Sequence, residues 1–412
     1  PSLDPLEIDT SLVWKRIRET QDRIAATDDN PDRFRALGAD VFLGPARLVG
    51  PRAVEVDGRV LDTRYVLICT GSRPATPPVA GLAEAGYLTS ENVFELERAS
   101  RSVVAIGGGP IAIELAQGLT RLGVRVTVLQ KGSGILTRDE PELVAMLTRR
   151  LEEEGVDLQF DVEVERVTVE EGQKVVHANQ HGRELRFGAE ELLVGVGRKP
   201  NVDGLGLDDV GVKVGKRGIE VDGRMRTNVP SIYASGDVVG RYLFTHSAGH
   251  EAVRAVRDMF FPGKGTVGDL VPWCTFTDPE LAHAGLTEAQ ARELHGDRVQ
   301  VRRLDMDHSD RARADGDSEG RIKVVSGPGD RLLGAHVLAA NAGEMIHELA
   351  YVVSRKGRLT DLSKLIHVYP TRSTSIGQLA AESTFDRAKR LRWLTRLTRL
   401  AHAIAPREKT RR

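Results

Sequence analysis

The chain has 412 residues, of which 40% are apolar, and with 42 glycines this composition is typical of a globular protein. At about 150 residues per domain, the length predicts two or three domains and excludes a small scaffold that needs disulfides to fold. The 58 basic and 59 acidic residues leave a formal charge of −1, which excludes a general attraction to nucleic acid or to an acidic membrane.

The cysteine content and the apolar pattern bear on the environment of the protein. The two cysteines, Cys69 and Cys274, are too far apart in sequence for a disulfide framework or a Cys-x-x-Cys metal or redox motif. No stretch approaches the roughly 18–20 apolar residues of a membrane span, and the first residues lack the pattern of a secretory signal. We therefore expect a cytoplasmic protein without a bound metal.

The first hundred residues predict a helix followed by strands. Apolar residues within 13–24 have near-helical spacing. Further on, Asp57-Gly58 is typical of a hairpin turn, and the apolar run YVLIC ends at Thr70-Gly71. This second pattern predicts a strand that ends in a tight glycine turn.

Residues 102–130 form the clearest supersecondary unit of the sequence. The run VVAI meets Gly107, Gly109 and Ala112 in a G-x-G-x-x-A pattern, a helical pattern follows, and VRVTVL alternates as a second strand. Gly107 permits the tight turn, Gly109 lets a pyrophosphate approach the backbone, and Ala112 lets helix and strand pack closely. The alternative is a glycine-rich turn without a ligand, but the complete β-α-β context favours dinucleotide binding at the helix N-terminus.

The residues after the second strand bear on the choice of coenzyme. An NAD-selective site usually places a carboxylate there, whereas this chain has Gln130 and Lys131. A neutral amide beside an ammonium tolerates a 2′-phosphate, so the pattern favours NADPH. The alternative is that Lys131 is only a solvated turn residue.

The rest of the chain predicts further strands, helices and a basic tail. The patterns ELLVGVGRKPN and SIYASGDVVG read as strands that end in glycine turns, and from near Leu270 helical and strand patterns alternate as in an α+β module. Residues 387–412 carry ten Lys or Arg and one acid, with apolar residues at helical spacing. They predict a basic amphipathic helix with a loose end.

Taken in order, these segments resemble a known family, the two-dinucleotide-binding-domain flavoproteins of the pyridine nucleotide–disulfide oxidoreductases. The resemblance covers residues 9–381 and rests on ICTGSRP, the 102–130 unit, VGVGRKPN, RTNVPSIYASGDVVG, FTHSAGHEA, VPWCTFTDPELAHAGLTEAQA and HVYPTRS. It implies an α/β fold with two nested Rossmann-like domains, for FAD and NAD(P), and a C-terminal α+β dimerisation domain. The implied segments are a partial FAD-binding domain at 1–98, the NAD(P)-binding domain at 99–215, a return to the FAD-binding domain at 216–268, the dimerisation domain at 269–385 and the tail at 386–412.

The resemblance also implies roles for single residues. Asp237 would hold the ribityl chain of FAD, with Gly236 allowing close approach, and Glu114 matches a carboxylate near the nicotinamide. Alternatively, Asp237 is a helix cap. The other residues matched to the family's cofactor site are Thr70, Gly71, Gly197, Arg198, Thr245, His246 and Ala248.

Two departures from the family pattern affect the expected chemistry. The family opens with its own G-x-G-x-x-G unit and a Cys-x4-Cys helix, and this chain, which begins at Pro1, shows neither. We expect an upstream segment of about 60–100 residues. In HVYPTRSTS, Tyr369 and Thr374 stand where the family has its base histidine and a glutamate, and the mercury-delivering cysteine pair is missing.

Tyr369 is a weak base at neutral pH but can donate a hydrogen bond to a thiolate or oxyanion. The alternative is an interface packing residue. His367 lies two residues earlier, on the opposite side of an extended segment. Tyr369, His367 and Glu114 are the candidate catalytic residues.

The sequence thus predicts an FAD-dependent NAD(P)H oxidoreductase of the disulfide-reductase type, acting on a disulfide or small-molecule acceptor. Two alternatives stay open: a flavin dehydrogenase that reduces quinone-like acceptors without a dithiol, and an inactive nucleotide-binding remnant. The family resemblance implies a homodimer in which Tyr369 reaches across to the partner. For the tail, packing on this dimer is favoured over contact with lipid or RNA.

Overall fold

The computed structural model describes residues 8–261, 263 and 265–390. Within them the chain divides into two compact units. The first unit comprises residues 8–137 and 148–271, and the second comprises residues 138–147 and 272–390.

The first unit begins with two helices and short strands. Asp9 caps the first helix by accepting a hydrogen bond from the Ser11 N–H. The hairpin predicted at Asp57-Gly58 is present, because both residues have positive φ (49° and 76°), as a two-residue turn requires. The elements are α1 (Thr10–Thr27), α2 (Pro31–Ala36), β1 (Ala46–Gly50), β2 (Ala53–Val56), β3 (Arg59–Asp62), β4 (Val66–Ile68), β5 (Ser72–Pro74) and α3 (Leu82–Ala85).

The predicted β-α-β unit forms the centre of a four-stranded parallel sheet. Its strands lie in the order β12-β6-β7-β8, and β9, β10 and β11 form a separate antiparallel meander. All five residues of β6 are buried, as expected for a strand covered on both faces. The elements are β6 (Ser102–Ile106), α4 (Pro110–Arg121), β7 (Arg125–Leu129), α5 (Pro141–Glu153), β8 (Asp157–Gln159), β9 (Val162–Glu170), β10 (Gln173–Gln180), β11 (Arg183–Ala189) and β12 (Glu191–Val194).

The remainder of the first unit returns to the early strands. β16 pairs in parallel with β4, so that Ala234 lies beside Ile68, and β13 pairs with β5. The carboxyl ends of β4 and β16 therefore lie at one edge. The elements are β13 (Arg198–Pro200), β14 (Val214–Gly215), β15 (Gly218–Ile219), β16 (Ile232–Ala234) and α6 (Thr245–Phe260).

The second unit is a five-stranded antiparallel sheet with helices, in agreement with the predicted α+β module. The strand order is β17-β18-β21-β20-β19, and α9 and α10 contribute apolar residues to its core. The elements are β17 (Trp273–Thr275), β18 (Glu280–Gly285), α7 (Glu288–His295), β19 (Gln300–Asp305), α8 (Asp310–Asp315), β20 (Arg321–Ser326), β21 (Leu332–Ala339), α9 (Ala342–Ser354) and α10 (Thr374–Arg390).

The chain shows no structural break where the tail was predicted to begin. α10 continues through position 386, where the Asp386 carboxylate accepts a hydrogen bond from Arg302 at 2.8 Å. The apolar residues of the predicted tail helix, at 391–404, lie outside the described residues. Within the described part of the chain, no helix is long and apolar enough to cross a lipid bilayer.

The second unit contains a buried ion cluster. The Lys323 side chain is 2% exposed, and its Nζ lies 2.8 Å from a carboxylate oxygen of each of Glu140, Glu142 and Glu288. Glu140 is itself buried and also accepts a hydrogen bond from the Glu288 backbone N–H. This arrangement joins segment 138–147 to the sheet through β20 and α7.

Candidate active site

The glycine turn after β6 has the geometry that the sequence pattern requires. Gly107 has φ of 113°, and its N–H donates to the Leu129 carbonyl at 2.9 Å. A Cβ at Gly107 would lie 2.5 Å from the Gly195 carbonyl oxygen, so a side chain is sterically excluded. The fully buried Ala112 packs against Gly195, where an added Cβ would lie 2.9 Å from the Ala112 methyl. Gly107 and Ala112 therefore let α4 approach the neighbouring strand end closely.

Gly109 presents the N-terminus of α4 to the surrounding space. Its backbone is extended (φ −82°, ψ 173°), it caps the helix without a side-chain hydrogen bond, and Pro110 is the first helical residue. A Cβ at Gly109 would have 3.9 Å to its nearest neighbour, the Gly195 carbonyl oxygen. The first N–H groups of a helix have no carbonyl partner within the helix and attract anions. The turn therefore suits a phosphate group.

A cavity of about 650 Å³ lies over this turn. The glycine turn, the segment 77–79, the residues after β7 and the start of β9 line it. The volume falls within the usual range for cofactor sites. The cavity is therefore large enough for a cofactor, and Gly109 and Pro110 at the start of α4 line it.

Gln130 and Lys131 both reach the cavity, but in different ways. The Gln130 Oε1 accepts from the Gly108 N–H at 2.9 Å, and its Nε2 donates to the Gly134 carbonyl at 3.2 Å. The Gln130 amide thus holds the glycine turn. The exposed Lys131 ammonium lies 2.6 Å from the Glu163 carboxylate, which also lines the cavity and which the sequence interpretation missed.

A second cavity, of about 660 Å³, lies at the carboxyl ends of β4 and β16. Gly71 and Asp237 line it together, and Thr70 lies next to them in the chain. The Asp237 carboxylate accepts a hydrogen bond from the Ser72 hydroxyl at 2.6 Å, and Arg198 Nε donates to the same hydroxyl at 2.6 Å. The fold therefore brings together residues from two segments about 165 positions apart.

The turn that carries Asp237 is held by a residue that the sequence interpretation did not single out. The buried Glu251 of α6 accepts a hydrogen bond from the Gly236 N–H at 2.8 Å, and burial raises the pKa of this carboxyl. Gly236 has φ of 78°, and a Cβ there would lie 3.0 Å from the Ala248 methyl. The glutamate stands within FTHSAGHEA, but its role depends on tertiary contact.

The two cavities adjoin each other within the first unit. Ile111 lines both, while Gly197 lines the first and its neighbour Arg198 lines the second. Glu114 lies one turn further along α4 and is half-buried. The start of α4 is thus a wall shared by the two cavities.

The start of α6 supplies the other predicted residues of the second cavity. Thr245, the first helical residue, and Ala248 line it. The exposed His246 ring stacks on Phe244, with ring centroids 5.2 Å apart and planes 13° apart.

The two candidate catalytic residues of the second unit are not brought to one site. Tyr369 is 68% exposed, and its hydroxyl donates to the Asp310 carboxylate at 3.1 Å, which raises the pKa of the phenol. The His367 side chain is 9% exposed, and its Nε2 lies 3.0 Å from the Glu348 carboxylate. Burial raises the pKa of Glu348. His367 and Tyr369 therefore have separate partners.

Two family models match the chain. The one described as pyridine nucleotide-disulphide oxidoreductase matches residues 24–252, and the one described as the dimerisation domain of that family matches residues 271–380. Together they span most of the described residues of both units.

Several curated relatives are similar over most of the chain. The dihydrolipoyl dehydrogenase of Thermus scotoductus is 36% identical over 363 residues, which cover 85% of this chain and 76% of the relative. The glutathione reductase of Burkholderia cepacia is 36% identical over 368 residues, covering 88% and 80%. The mercuric reductase of Bacillus cereus is 34% identical over 353 residues, covering 85% of this chain but only 56% of that longer protein.

Solved structures show the same likeness. The HOCl-induced flavoprotein disulfide reductase RclA from Escherichia coli superposes with a TM-score of 0.81 at 28% identity. The match covers 91% of this chain and 86% of that one.

Proposed function

Since the chain belongs to the pyridine nucleotide-disulphide oxidoreductase family, we propose that it is an FAD-dependent NAD(P)H oxidoreductase that reduces a disulfide or small-molecule acceptor. The observation that carries the proposal is the wall shared by the two cavities at Ile111. FAD, when bound, accepts a hydride from reduced nicotinamide and passes electrons to the acceptor.

The residues of the first cavity bind and orient the coenzyme. The N–H groups at the start of α4 face the pyrophosphate, and Gly109 leaves room for it. The Gln130 side chain stabilises the turn by accepting a hydrogen bond from the Gly108 N–H. Because Lys131 brings a positive charge and position 130 is a neutral amide, we propose that NADPH is accepted and is favoured over NADH.

The residues of the second cavity fit the flavin. Gly236 has no side chain to obstruct approach, and the adjacent Asp237 carboxylate can accept hydrogen bonds from ribityl hydroxyls. Arg198 and Ser72 orient that carboxylate. Residues 1–98 and 216–268 would then form the flavin-binding part and 99–215 the coenzyme-binding part.

The second unit matches the family's dimerisation domain, and we propose that this chain forms a homodimer. In it Tyr369 would lie at the partner's active site and would donate a hydrogen bond there once its hydroxyl leaves Asp310, to which it donates in this structure. Neither Cys69 nor Cys274 lies in a disulfide, and we propose a cytoplasmic location.

A second candidate function is direct reduction of a quinone-like acceptor. Among the described residues that line the second cavity, Cys69 is the only cysteine, and its thiol lies 3.3 Å from the Ser235 hydroxyl. Transfer through a dithiol needs two adjacent thiols. Thiol titration after reduction by NADPH separates the candidates, since only the disulfide route generates new thiols.

The proposal is tested by changing Gly109 and measuring coenzyme binding. The extended backbone of Gly109 tolerates alanine, but the new methyl would occupy the space of the pyrophosphate, so we expect Gly109→Ala to weaken NADPH binding about tenfold or more. Gly118→Ala is the matched control, because Gly118 lies exposed on the same helix with no neighbour within 4 Å.

Binding is followed by NADPH fluorescence, and anaerobic bleaching of the flavin absorbance of FAD-loaded protein reports hydride transfer. Thermal unfolding by circular dichroism checks that both variants fold. The proposal is refuted if the wild type binds neither NADPH nor FAD, or if Gly109→Ala binds NADPH as tightly as Gly118→Ala.

A further inference from the structure

An ion pair lies at the rim of the first cavity, which is the proposed coenzyme site. The Lys131 Nζ is 2.6 Å from the Glu163 Oε1, and both side chains are largely exposed (79% and 62%). Among the described residues that line the cavity, these two are the charged ones. The charge that a coenzyme meets at this rim is therefore set by this pair.

Backbone hydrogen bonds fix the two residues beside each other. The Val162 N–H donates to the Gln130 carbonyl at 3.1 Å, and the Asp161 N–H donates to the Gly132 carbonyl at 3.2 Å. These bonds join the chain after β7 to the start of β9. The pairing of Lys131 with Glu163 thus follows from the local backbone and not only from flexible side chains.

Position 130, where the sequence pattern placed the choice of coenzyme, is otherwise engaged. Both polar atoms of the Gln130 amide already bond to the backbone, at Gly108 and Gly134. The neighbouring Glu163 carboxylate, by contrast, is open to solvent at the cavity rim. A carboxylate there can accept hydrogen bonds from ribose hydroxyls.

We propose that Glu163 is a specificity-determining residue of the coenzyme site. Its carboxylate accepts a hydrogen bond from the 2′-hydroxyl of NADH, and it holds the Lys131 ammonium away from the 2′-phosphate of NADPH. This inference rests on the proposed function. Lys131 attracts the phosphate, and Glu163 opposes that attraction by neutralising the ammonium and repelling the phosphate. The pair therefore moderates the preference for NADPH, so that the protein accepts both coenzymes.

The two members of the pair act in opposite directions, which makes the proposal testable from both sides. Glu163→Gln frees the ammonium and replaces the carboxylate by a neutral amide, whose oxygen is a weaker acceptor for the 2′-hydroxyl of NADH and does not repel a phosphate. This change should raise the ratio of NADPH to NADH affinity about tenfold. Lys131→Met removes the attraction for phosphate and should lower that ratio about fivefold. Both side chains are exposed, so neither change disturbs packing.

Glu170→Gln is the matched control. Glu170 also lies on β9 and also forms an ion pair, with Arg186. At about 3.3 Å per residue it lies roughly 23 Å along the strand from Glu163, beyond the Debye length of about 10 Å at 0.1 M salt. This variant changes the net charge equally and should leave the affinity ratio unchanged.

The experiment titrates NADPH and NADH into the full chain and its three variants, with coenzyme fluorescence as the readout. A ratio that rises in Glu163→Gln, falls in Lys131→Met and stays constant in Glu170→Gln supports the proposal. An unchanged ratio in Glu163→Gln, with both coenzymes still bound, overturns this inference alone. Failure of the wild type to bind either coenzyme overturns the proposed function instead.

Discussion

Replacing Lys323 by methionine tests what holds segment 138–147 to the second unit. In this variant Glu142 and Glu288 would still be paired with the Arg303 guanidinium, but Glu140 would lose its contact with the Lys323 ammonium at 2.8 Å. Glu140 is 4% exposed, so its charge would remain buried without that partner. Leaving a buried carboxylate without its cation typically costs about 3–5 kcal/mol.

We therefore expect Lys323→Met to destabilise the second unit by about 3–5 kcal/mol at pH 7. The Glu288 N–H donates to Glu140 and would remain its hydrogen-bond partner.

The assay is urea unfolding at pH 7, followed by tryptophan fluorescence, to which Trp273 contributes from the second unit, where it donates a hydrogen bond to Asp139. The double variant Lys323→Met/Glu140→Gln removes the stranded charge and should recover most of the loss at pH 7. A loss below about 1 kcal/mol at pH 7, or a double variant no more stable than the single one, would refute this reasoning.

Three further predictions concern titration and the site. Burial lowers the pKa of His283 to about 3 and of His336 to about 4. Because both imidazoles are buried in the neutral form, the folding free energy that they contribute is complete above their unfolded pKa near 6.5 and is lost as the pH falls toward 4. His336→Gln should roughly halve the stability lost between pH 6.5 and pH 5, as measured by urea midpoints. Because the Asp310 carboxylate raises the pKa of Tyr369, Asp310→Asn should lower the pKa of this phenol. The measurement is an ultraviolet titration, in which the difference from Tyr369→Phe identifies the signal of Tyr369. An unchanged titration would contradict the contact. Glu251→Ala leaves a buried N–H without its acceptor and should cost about 1–3 kcal/mol and weaken FAD binding, whereas Glu251→Gln keeps an acceptor and should cost less.

The parts of the fold that the sequence predicted depend on local rules. The hairpin at Asp57-Gly58 and the β-α-β unit around Gly107 are set by residues within about one turn or one strand, so their patterns are readable directly. The pairing of β4 with β16 was not readable in this way, because it joins segments more than 160 residues apart. The family resemblance supplied the expectation that Thr70 and Asp237 belong to one site.

The missed residues share one physical feature, which is that their partners are distant in sequence. Glu251 meets Gly236 only because α6 packs against the turn after β16. Lys323 meets Glu140 across 183 positions. Neither periodicity nor a motif names the partner of such a glutamate or lysine, so the partner becomes visible only when the strands have been placed.

The Lys323–Glu140 and Lys131–Glu163 contacts are nearly equal in length but have different roles. The Lys323–Glu140 distance is 2.8 Å and the Lys131–Glu163 distance is 2.6 Å, so distance does not distinguish them. The exposure of the two lysines does distinguish them. Lys323 is 2% exposed, so it cannot contact a ligand, and its removal lowers the folding stability. Lys131 is exposed, so it contributes little to stability and can exchange the Glu163 carboxylate for a phosphate. Lys131→Met should therefore leave the urea midpoint unchanged while altering coenzyme choice, and Lys323→Met should do the reverse.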